Sequence, residues 1–421
     1  MSNTGLSPRE NRRNFILGAT QSGLWGLGLT FSSINTVIPM FLKKLGASDV
    51  EIGLIPTLAN LGFTLPSILS APIVERVKSL KKFITIVTWI ERAPYLFLAI
   101  LAFTLAKHNP ILTIYLSLVF VGIGNFGTGF IMPAWMDFIA RIIPVTSRGK
   151  FTALGNGLGG LLGIAGSMMV GKILNSHPFP TNFGLCFTIT IAILIMAYVV
   201  LLFMKEAPNK KDQRREKINY SYDIAKILRS DRHFRNYVLA RFIVSFGSMG
   251  LAFYTVYAVG RFSLSDEYIG TFTMFFVGGQ PLANLIWGPL ADKTGHRNVL
   301  LGGIFCNLLG NLIAIITPSV YPIYLVFALS GAMNSSFMIS GLPIILEFAP
   351  PDRRPTYIGI NNMIISPALA LSPLIGGIVA ENFGYQYVFR ISLIANIIGL
   401  TILYLGVIDP RKRQIHTEIE G

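Results

Sequence analysis

Long apolar runs alternate with short polar stretches along nearly the whole chain. A membrane crossing needs about 20 apolar residues, and twelve runs reach that length, near 15–41, 50–74, 82–106, 110–139, 148–174, 181–204, 235–260, 267–290, 297–317, 319–347, 355–380 and 384–408. The pattern predicts an all-α integral membrane protein with twelve spanning helices. The longest hydrophilic stretch, 205–233, divides the runs into two sets of six. The domains expected are therefore 1–204, a linker at 205–233, and 234–421. Within the linker, Lys205 to Lys217 is dense in charge, and Tyr222 to Phe234 carries Ile224, Ile227, Leu228 and Phe234 among basic residues. That spacing predicts a short amphipathic helix lying on the membrane surface.

The second set of runs repeats the first. Ser48-Asp49-x-x-Ile52-Gly53 matches Ser265-Asp266-x-x-Ile269-Gly270, and Ala71-Pro72-x-x-Glu75-Arg76 matches Gly288-Pro289-x-x-Asp292-Lys293, both at an offset of 217 (Glu75 to Asp292). Pro144, Arg148, Asn156 and Gly171 align with Pro350, Arg354, Asn362 and Gly377 at an offset of 206 (Gly171 to Gly377). Two pseudo-symmetric six-helix halves with different loop lengths account for both offsets.

Composition agrees. Of 421 residues, 52% are hydrophobic and 13% charged, about half the charged share of a soluble protein, and the mean hydropathy is +0.58. A net charge of +15 would point to nucleic acid in a soluble chain, but its distribution gives another cause. With a cytoplasmic N-terminus, one side collects Arg9, Arg12, Arg13, Arg76, Lys78, Lys81, Lys82, Arg141, Arg148, Lys150, the linker cations, Lys293, Arg297, Arg353, Arg354, Arg411, Lys412 and Arg413. The opposite loops hold Lys43, Lys44, Lys107, Lys172 and Arg261. This is the positive-inside asymmetry. It predicts both termini in the cytoplasm, a plasma-membrane location (the inner membrane in a bacterium), and no nucleic-acid partner. Cys186 and Cys306 both lie in apolar runs and form no disulfide or metal pattern. The first apolar run is too long for the h-region of a cleavable signal peptide.

One polar stretch carries a motif. Gly288-x-x-x-Asp292-Lys293-x-Gly295-x-Arg297 falls between two runs, where Asp292 and Lys293 end one helix and Gly295 supplies a tight turn. The spacing resembles the loop signature of the major facilitator superfamily, a family of secondary membrane transporters. The resemblance implies a two-half fold in which this loop acts as a conformational latch. An anionic side chain is favoured near a helix N-terminus, so Asp292 is expected near Arg148 and Gly149 when the protein closes to the cytoplasm. Glu347 is expected within reach of Arg297 or Lys293. The first-half copy, Glu75-Arg76-Val77-Lys78, lacks both glycines, and Arg141 stands where the repeat has Glu347, which predicts a swapped Arg141–Glu75 pair.

Small residues Gly155, Gly159, Gly163, Ser167 and Gly171 recur every four positions in the fifth run. Such a ridge lets membrane helices approach closely, and the resemblance places it against the eighth run, with Gly278, Gly279 and Ala283 opposite. The antiporter-type Gly-Pro-x-x-Gly-Gly element is incomplete there, since Gly166-Ser167-Met168-Met169-Val170-Gly171 has no proline.

Ionisable residues inside a bilayer are functional candidates. Glu91, Arg92, Asp137 and Arg241 are such residues, with Glu91 and Asp137 as proton carriers and an Arg92–Asp137 structural pair as the alternative. The resemblance makes the first, fourth, seventh and tenth helices the cavity lining, so the expected substrate contacts are Asn35, Arg92, Asn125, Asp137, Arg241, Tyr254, Tyr257, Gln280 and Asn334. Arg241 is the expected principal cation, in need of an anionic partner that could be the substrate, Asp137 or Glu347. Amides, hydroxyls and aromatics suit a small organic or amphiphilic solute.

No phosphate-binding loop, metal-spaced cysteines or histidines, or nucleophile elbow occurs. The chain is expected to be no enzyme and to need no cofactor or metal. The function implied is secondary active transport by alternating access, proton-coupled, by a monomer in a lipid bilayer. Drug or metabolite efflux, a lipid flippase and a non-transporting sensor are the alternatives.

Overall fold

The computed structural model describes residues 6–206 and 220–409. The charged run from Lys210 to Lys217 and the tail cations Arg411, Lys412 and Arg413 lie outside the described residues. The helices are α1 (Pro8–Thr30), α2 (Val37–Lys44), α3 (Asp49–Val74), α4 (Leu80–Thr104), α5 (Pro110–Ile142), α6 (Arg148–Ser176) and α7 (Thr181–Leu202) in the first half. They continue as α8 (Tyr220–Ser230), α9 (Arg232–Gly247), α10 (Tyr254–Phe262), α11 (Glu267–Thr294), α12 (His296–Ile316), α13 (Tyr321–Phe348), α14 (Arg354–Phe383) and α15 (Tyr385–Gly406).

Among the described residues, eleven helical segments are long and apolar enough to cross a membrane, with α9 and α10 counted as one. The first expected span, 15–41, is divided. Its polar start lies in α1, and its most apolar part, Val37 to Leu42, forms α2, whose residues there are buried. The seventh span is divided in the same way, α9 passing through a short turn, Met249–Ala252, into α10. The two interruptions obey the repeat offset of 217: α1 ends at Thr30 and α9 at Gly247, while α2 begins at Val37 and α10 at Tyr254.

A helix broken inside a membrane exposes backbone groups that must find partners. In the first half the Ser33 carbonyl accepts from the N–H of both Val37 and Ile38, each at 3.0 Å. In the second half three amides converge on the Gly247 carbonyl: Asn307 at 2.8 Å, Asn396 at 3.0 Å and Asn311 at 3.4 Å. Those asparagines are buried because their donors answer the break.

The predicted linker helix is present but shorter and differently placed. It ends at Ser230, and Asp231 caps α9 instead by accepting from Phe234 N at 3.1 Å. Ile227 is buried, and Ile224 and Leu228 pack with it onto Phe234, Tyr237 and Tyr357 of the second half. Its apolar face is thus covered by protein rather than lipid.

Core packing is asymmetric between the two ends. At the end opposite the basic loops a single core joins both halves, from Phe31, Val37, Phe41 and Ile52 to Met249, Phe253, Tyr254, Phe272 and Phe389. At the basic end each half has its own core, one around Phe138, Phe151 and Leu201, the other around Phe234, Tyr237 and Ile344. Hydrogen bonds between the halves gather at the joined end. Thr36 and Thr273 hydroxyls lie 2.6 Å apart, Thr255 donates to the Asn35 carbonyl at 3.1 Å, and Tyr385 donates to Asp49 at 2.6 Å. Lys44 pairs with Asp266 at 2.5 Å.

The small-residue ridge divides its work. Gly155 and Gly159 face α1, toward Ser22 and Gly26, whereas Gly163, Ser167 and Gly171 face α11. The closest approach on α11 is at Gly270, where a Cβ would lie 2.5 Å from both Gly171 Cα and Ser167 O. Gly279, expected opposite the ridge, abuts Ala328 of α13 instead. Toward the basic end the helices diverge: a Cβ on Gly149, Gly157 or Gly288 would point into open space.

Candidate functional site

The embedded charges of α4 form one buried cluster. Gly127 of α5 brings its backbone so near α4 that a Cβ would lie 2.5 Å from Glu91 N. Glu91 is thereby turned toward α1, where Trp25 donates its indole N–H to Oε1 at 2.6 Å. Arg92 is 1% exposed. Its guanidinium lies 3.6 Å from Glu91 Oε2 and donates to the carbonyls of Leu194 (3.1 Å) and Thr88 (3.3 Å). Adjacent helix residues do not face each other, yet the length of arginine lets it reach back. The alternative Arg92–Asp137 pair does not form. Asp137 instead takes two bonds from Arg141, four residues on, at 3.1 and 2.6 Å.

Arg241, on α9, has different company. Its guanidinium lies over the Phe337 ring of α13, 3.7 Å from the centroid, and its Nε is buried with no hydrogen-bond partner. Neither Asp137 nor Glu347 is its counter-ion. Tyr237, one turn earlier, is fully buried and donates to the Gly341 carbonyl at 3.3 Å.

Tyr254 and Tyr257, expected beside Arg241 along the pathway, belong to the joined core. Tyr254 packs between Phe327 and Phe389. Tyr257 donates to the Ala314 carbonyl at 3.1 Å and accepts from Gln386 at 2.9 Å and from Arg261. They are sealed at one end because α10 is a separate segment turned away from α9. Of the other cavity candidates, Asn35 sits in the α1–α2 break, Asn125 bonds back to the Val121 carbonyl at 2.9 Å, Gln280 is half-buried on α11, and Asn334 is exposed on α13 three residues before Phe337.

The signature loop takes its expected shape. α11 runs to Thr294, and Gly295 turns at φ 91°, the left-handed region that glycine adopts freely. Glu75, Arg76, Asp292 and Lys293 are exposed at the basic end, and a Cβ on Gly288 would meet open space. The charge partners differ from expectation. Arg297 donates to the last carbonyls of α15, Leu403 at 3.3 Å and Tyr404 at 2.5 Å, while Glu347 faces His296 at 3.7 Å. Arg141 turns to Asp137 instead of Glu75. Arg148 donates to the carbonyls of Ala140 (2.5 Å) and Ile143 (3.2 Å).

A repeated clasp was not anticipated. In the first half Glu206 caps α4, accepting from Ser79 Oγ at 2.6 Å and Leu80 N at 2.7 Å, while Lys81 Nζ donates to the terminal carbonyls Leu202 and Met204, each at 2.7 Å. In the second half Asp409 packs against Gly295 before α12, and Arg297 holds the end of α15. Each pair sets an anion at a helix start and a cation at a helix end, as the helix dipole favours. The clue in the sequence was an acid one or two residues past the last apolar run of each half. Trp25 was also missed; its only signal was an indole donor within the first run. At the N-terminus Ser7 and Glu10 form a capping box. There the Lys205 ammonium, then the Ser7 N–H, hold the Glu10 carboxyl down at about 2.

Comparison with known proteins agrees with this architecture. The model of the Major Facilitator Superfamily matches residues 22–275 and 237–420. The methylenomycin A resistance protein of Streptomyces coelicolor is 24% identical over 37% of this chain and 31% of its own length. Multidrug resistance protein 3 of Bacillus subtilis is 22% identical over 37% and 30%. The chain thus spans about a third of the length of these relatives. Among solved structures, the nucleoside transporter NupG is 14% identical with a TM-score of 0.68, covering 94% of this chain and 97% of that one. An inward-facing, occupied bacterial homolog of the human lysosomal transporter Spinster is 13% identical with a TM-score of 0.72, covering 95% and 97%. Two matching helix bundles, the signature loop and a family match over nearly the whole chain make this protein a member of the Major Facilitator Superfamily.

Proposed function

We propose that this transporter is a secondary active one, moving a small organic or amphiphilic solute by alternating access with proton coupling. One observation carries the reading: the halves share one core at one end and hold separate cores at the other. Alternating access requires such a pair of ends, one shut while the other is open. The positive-inside asymmetry makes the basic end cytoplasmic, with both termini there and the plasma membrane as the location. The units that rock are 1–204 and 234–421, joined by 205–233. Glu91 is the proton carrier, since its carboxylate is buried yet bonded across helices to Trp25 and Arg92. The resistance proteins among the relatives favour export over uptake.

Spin-label distances test this without knowledge of the solute. Labels at the exposed positions Asn175 and Asn382 span the shut end, and labels at Lys78 and Thr294 span the open end. In proteoliposomes taken from pH 8 to pH 5.5, the two distance distributions should move in opposite directions. If both widen together, or neither moves, alternating access coupled to protons is wrong.

A further inference from the structure

We propose that Arg241 and Phe337 hold the anionic end of the transported solute, so that the substrate class is an organic anion: a carboxylate or phosphate carried on an aromatic or apolar body. This rests on the transporter reading above.

Three charges lie near mid-span. Glu91 and Arg92 lie eleven and twelve residues into α4, and Arg241 lies nine residues into α9, roughly 14 to 18 Å from the helix starts at 1.5 Å per residue. The first two answer each other. A second acid–base pair, Asp137 and Arg141, stands nearer the basic end. Arg241 differs. Among the described residues no carboxylate lies within salt-bridge distance of it, and its Nε–H is buried without an acceptor.

A guanidinium removed from water needs an anion or a set of carbonyls to repay its lost hydration. Arg92 shows how this chain meets that need when the role is structural: an adjacent carboxylate and two backbone carbonyls. For Arg241 the described partners are the Phe337 ring face and the neutral Tyr237 hydroxyl. A phenyl face attracts a cation without using the in-plane donors, and the Nε–H left without an acceptor can meet an oxygen of a carboxylate or phosphate. Phe337, half-buried, then has a second role as the wall against which the apolar body of the solute packs.

The neighbourhood supports an opening at this point. Gly341, one turn beyond Phe337, has open space where a Cβ would point, and Asn334, one turn before, is exposed. Tyr237, fully buried and bonded to the Gly341 carbonyl, fixes α9 against α13 beneath the guanidinium. Its hydroxyl, a neutral partner, also bonds to the Arg241 guanidinium, which leaves the charge without an anion and Nε–H without an acceptor. Tyr254 and Tyr257 sit in the joined core, which limits the site in this state to the α9–α13 face.

The test uses the full-length protein in detergent and three probes that share one body: benzoate, benzamide and benzamidine, with phenyl phosphate as a second anion. The expected result is a saturable rise in Tm with benzoate or phenyl phosphate and none with the amide or the amidine. That response is lost in Arg241→Gln and partly kept in Arg241→Lys. A second readout needs no ligand. Arg241→Met removes a half-buried charge that has no anionic partner among the described residues, so the unliganded variant should melt at a higher temperature than the parent. The assignment is overturned if benzamide or benzamidine stabilises as well as the anions, if neither anion stabilises, or if Arg241→Met melts lower, as a structural arginine would. Such a result leaves reciprocal motion of the two ends, read by the spin labels, to stand or fall by itself.

Discussion

Gly270→Ala is the sharpest perturbation that the geometry offers, because it adds one methyl group where two backbones meet. The new Cβ would sit 2.5 Å from Gly171 Cα and Ser167 O, well inside the 3.4 Å at which ordinary contact begins. Backbone atoms cannot rotate aside, so α6 and α11 must separate by about 1 Å. Overpacking of this kind costs about 1–3 kcal/mol, and a backbone-on-backbone clash belongs near the upper figure. On the alternating-access proposal, the strain is relieved when this end opens. Relief on opening therefore shifts the equilibrium by about 3 kcal/mol, which at 1.4 kcal/mol per tenfold is roughly 100-fold. Thr273, 0% exposed and bonded to Thr36 across the halves, reports that opening. With Cys186 and Cys306 replaced by serine, a cysteine at 273 would be labelled by an impermeant maleimide added from that side. Gly270→Ala should raise its labelling rate by at least tenfold. A rate within twofold of the parent, in a variant that purifies normally, would refute the idea that this crossing holds the end shut.

Other variants probe the cluster, the clasp and the N-terminus. Trp25→Phe keeps the ring but leaves Glu91 Oε1 without its donor; at about 1–3 kcal/mol for an unmet buried acceptor, it should slow the distance changes driven by the pH step while the protein still purifies as a monodisperse peak. Glu206→Ala removes the cap of α4 and should cost about 1–2 kcal/mol, seen as a lower Tm, whereas Glu206→Gln should recover part of the loss. Glu10→Gln tests linkage. The Glu10 carboxyl is lowered from 4.5 to about 2 in the fold, so its stabilisation is present above pH 4.5 and disappears as pH falls toward 2. The Tm gap between parent and Glu10→Gln should be open at pH 7 and should close across that window; a gap that widens there would reverse the sign.

The repeat was legible even where its consequence was not. The offset of 217 read from Asp49 and Asp266 also relates the two helix breaks, yet the apolar run 235–260 announces an interruption only weakly, through Ser245, Gly247, Ser248 and Gly250. It becomes visible only when Asn307, Asn311 and Asn396, from two other helices, meet at one carbonyl. Read along the chain, those amides are polar residues in apolar runs with no stated purpose.

Hydrophobic run length, the basic asymmetry and the signature loop determined the spans, the two halves and the turn at Gly295, because each depends on residues close in sequence. Partner choice depended on tertiary structure. Arg297 was expected to find Glu347 and holds the end of α15 instead, Arg141 takes Asp137, and Glu91 meets Trp25 from 66 residues away. A long side chain can serve several neighbours, and the one it reaches is set by how each helix is rotated and crossed. Arg241 is the clearest case. Its place in the seventh run marked a charge that needed an anion, but only the side-chain contact between α9 and α13 put a ring face there and left its Nε without an acceptor.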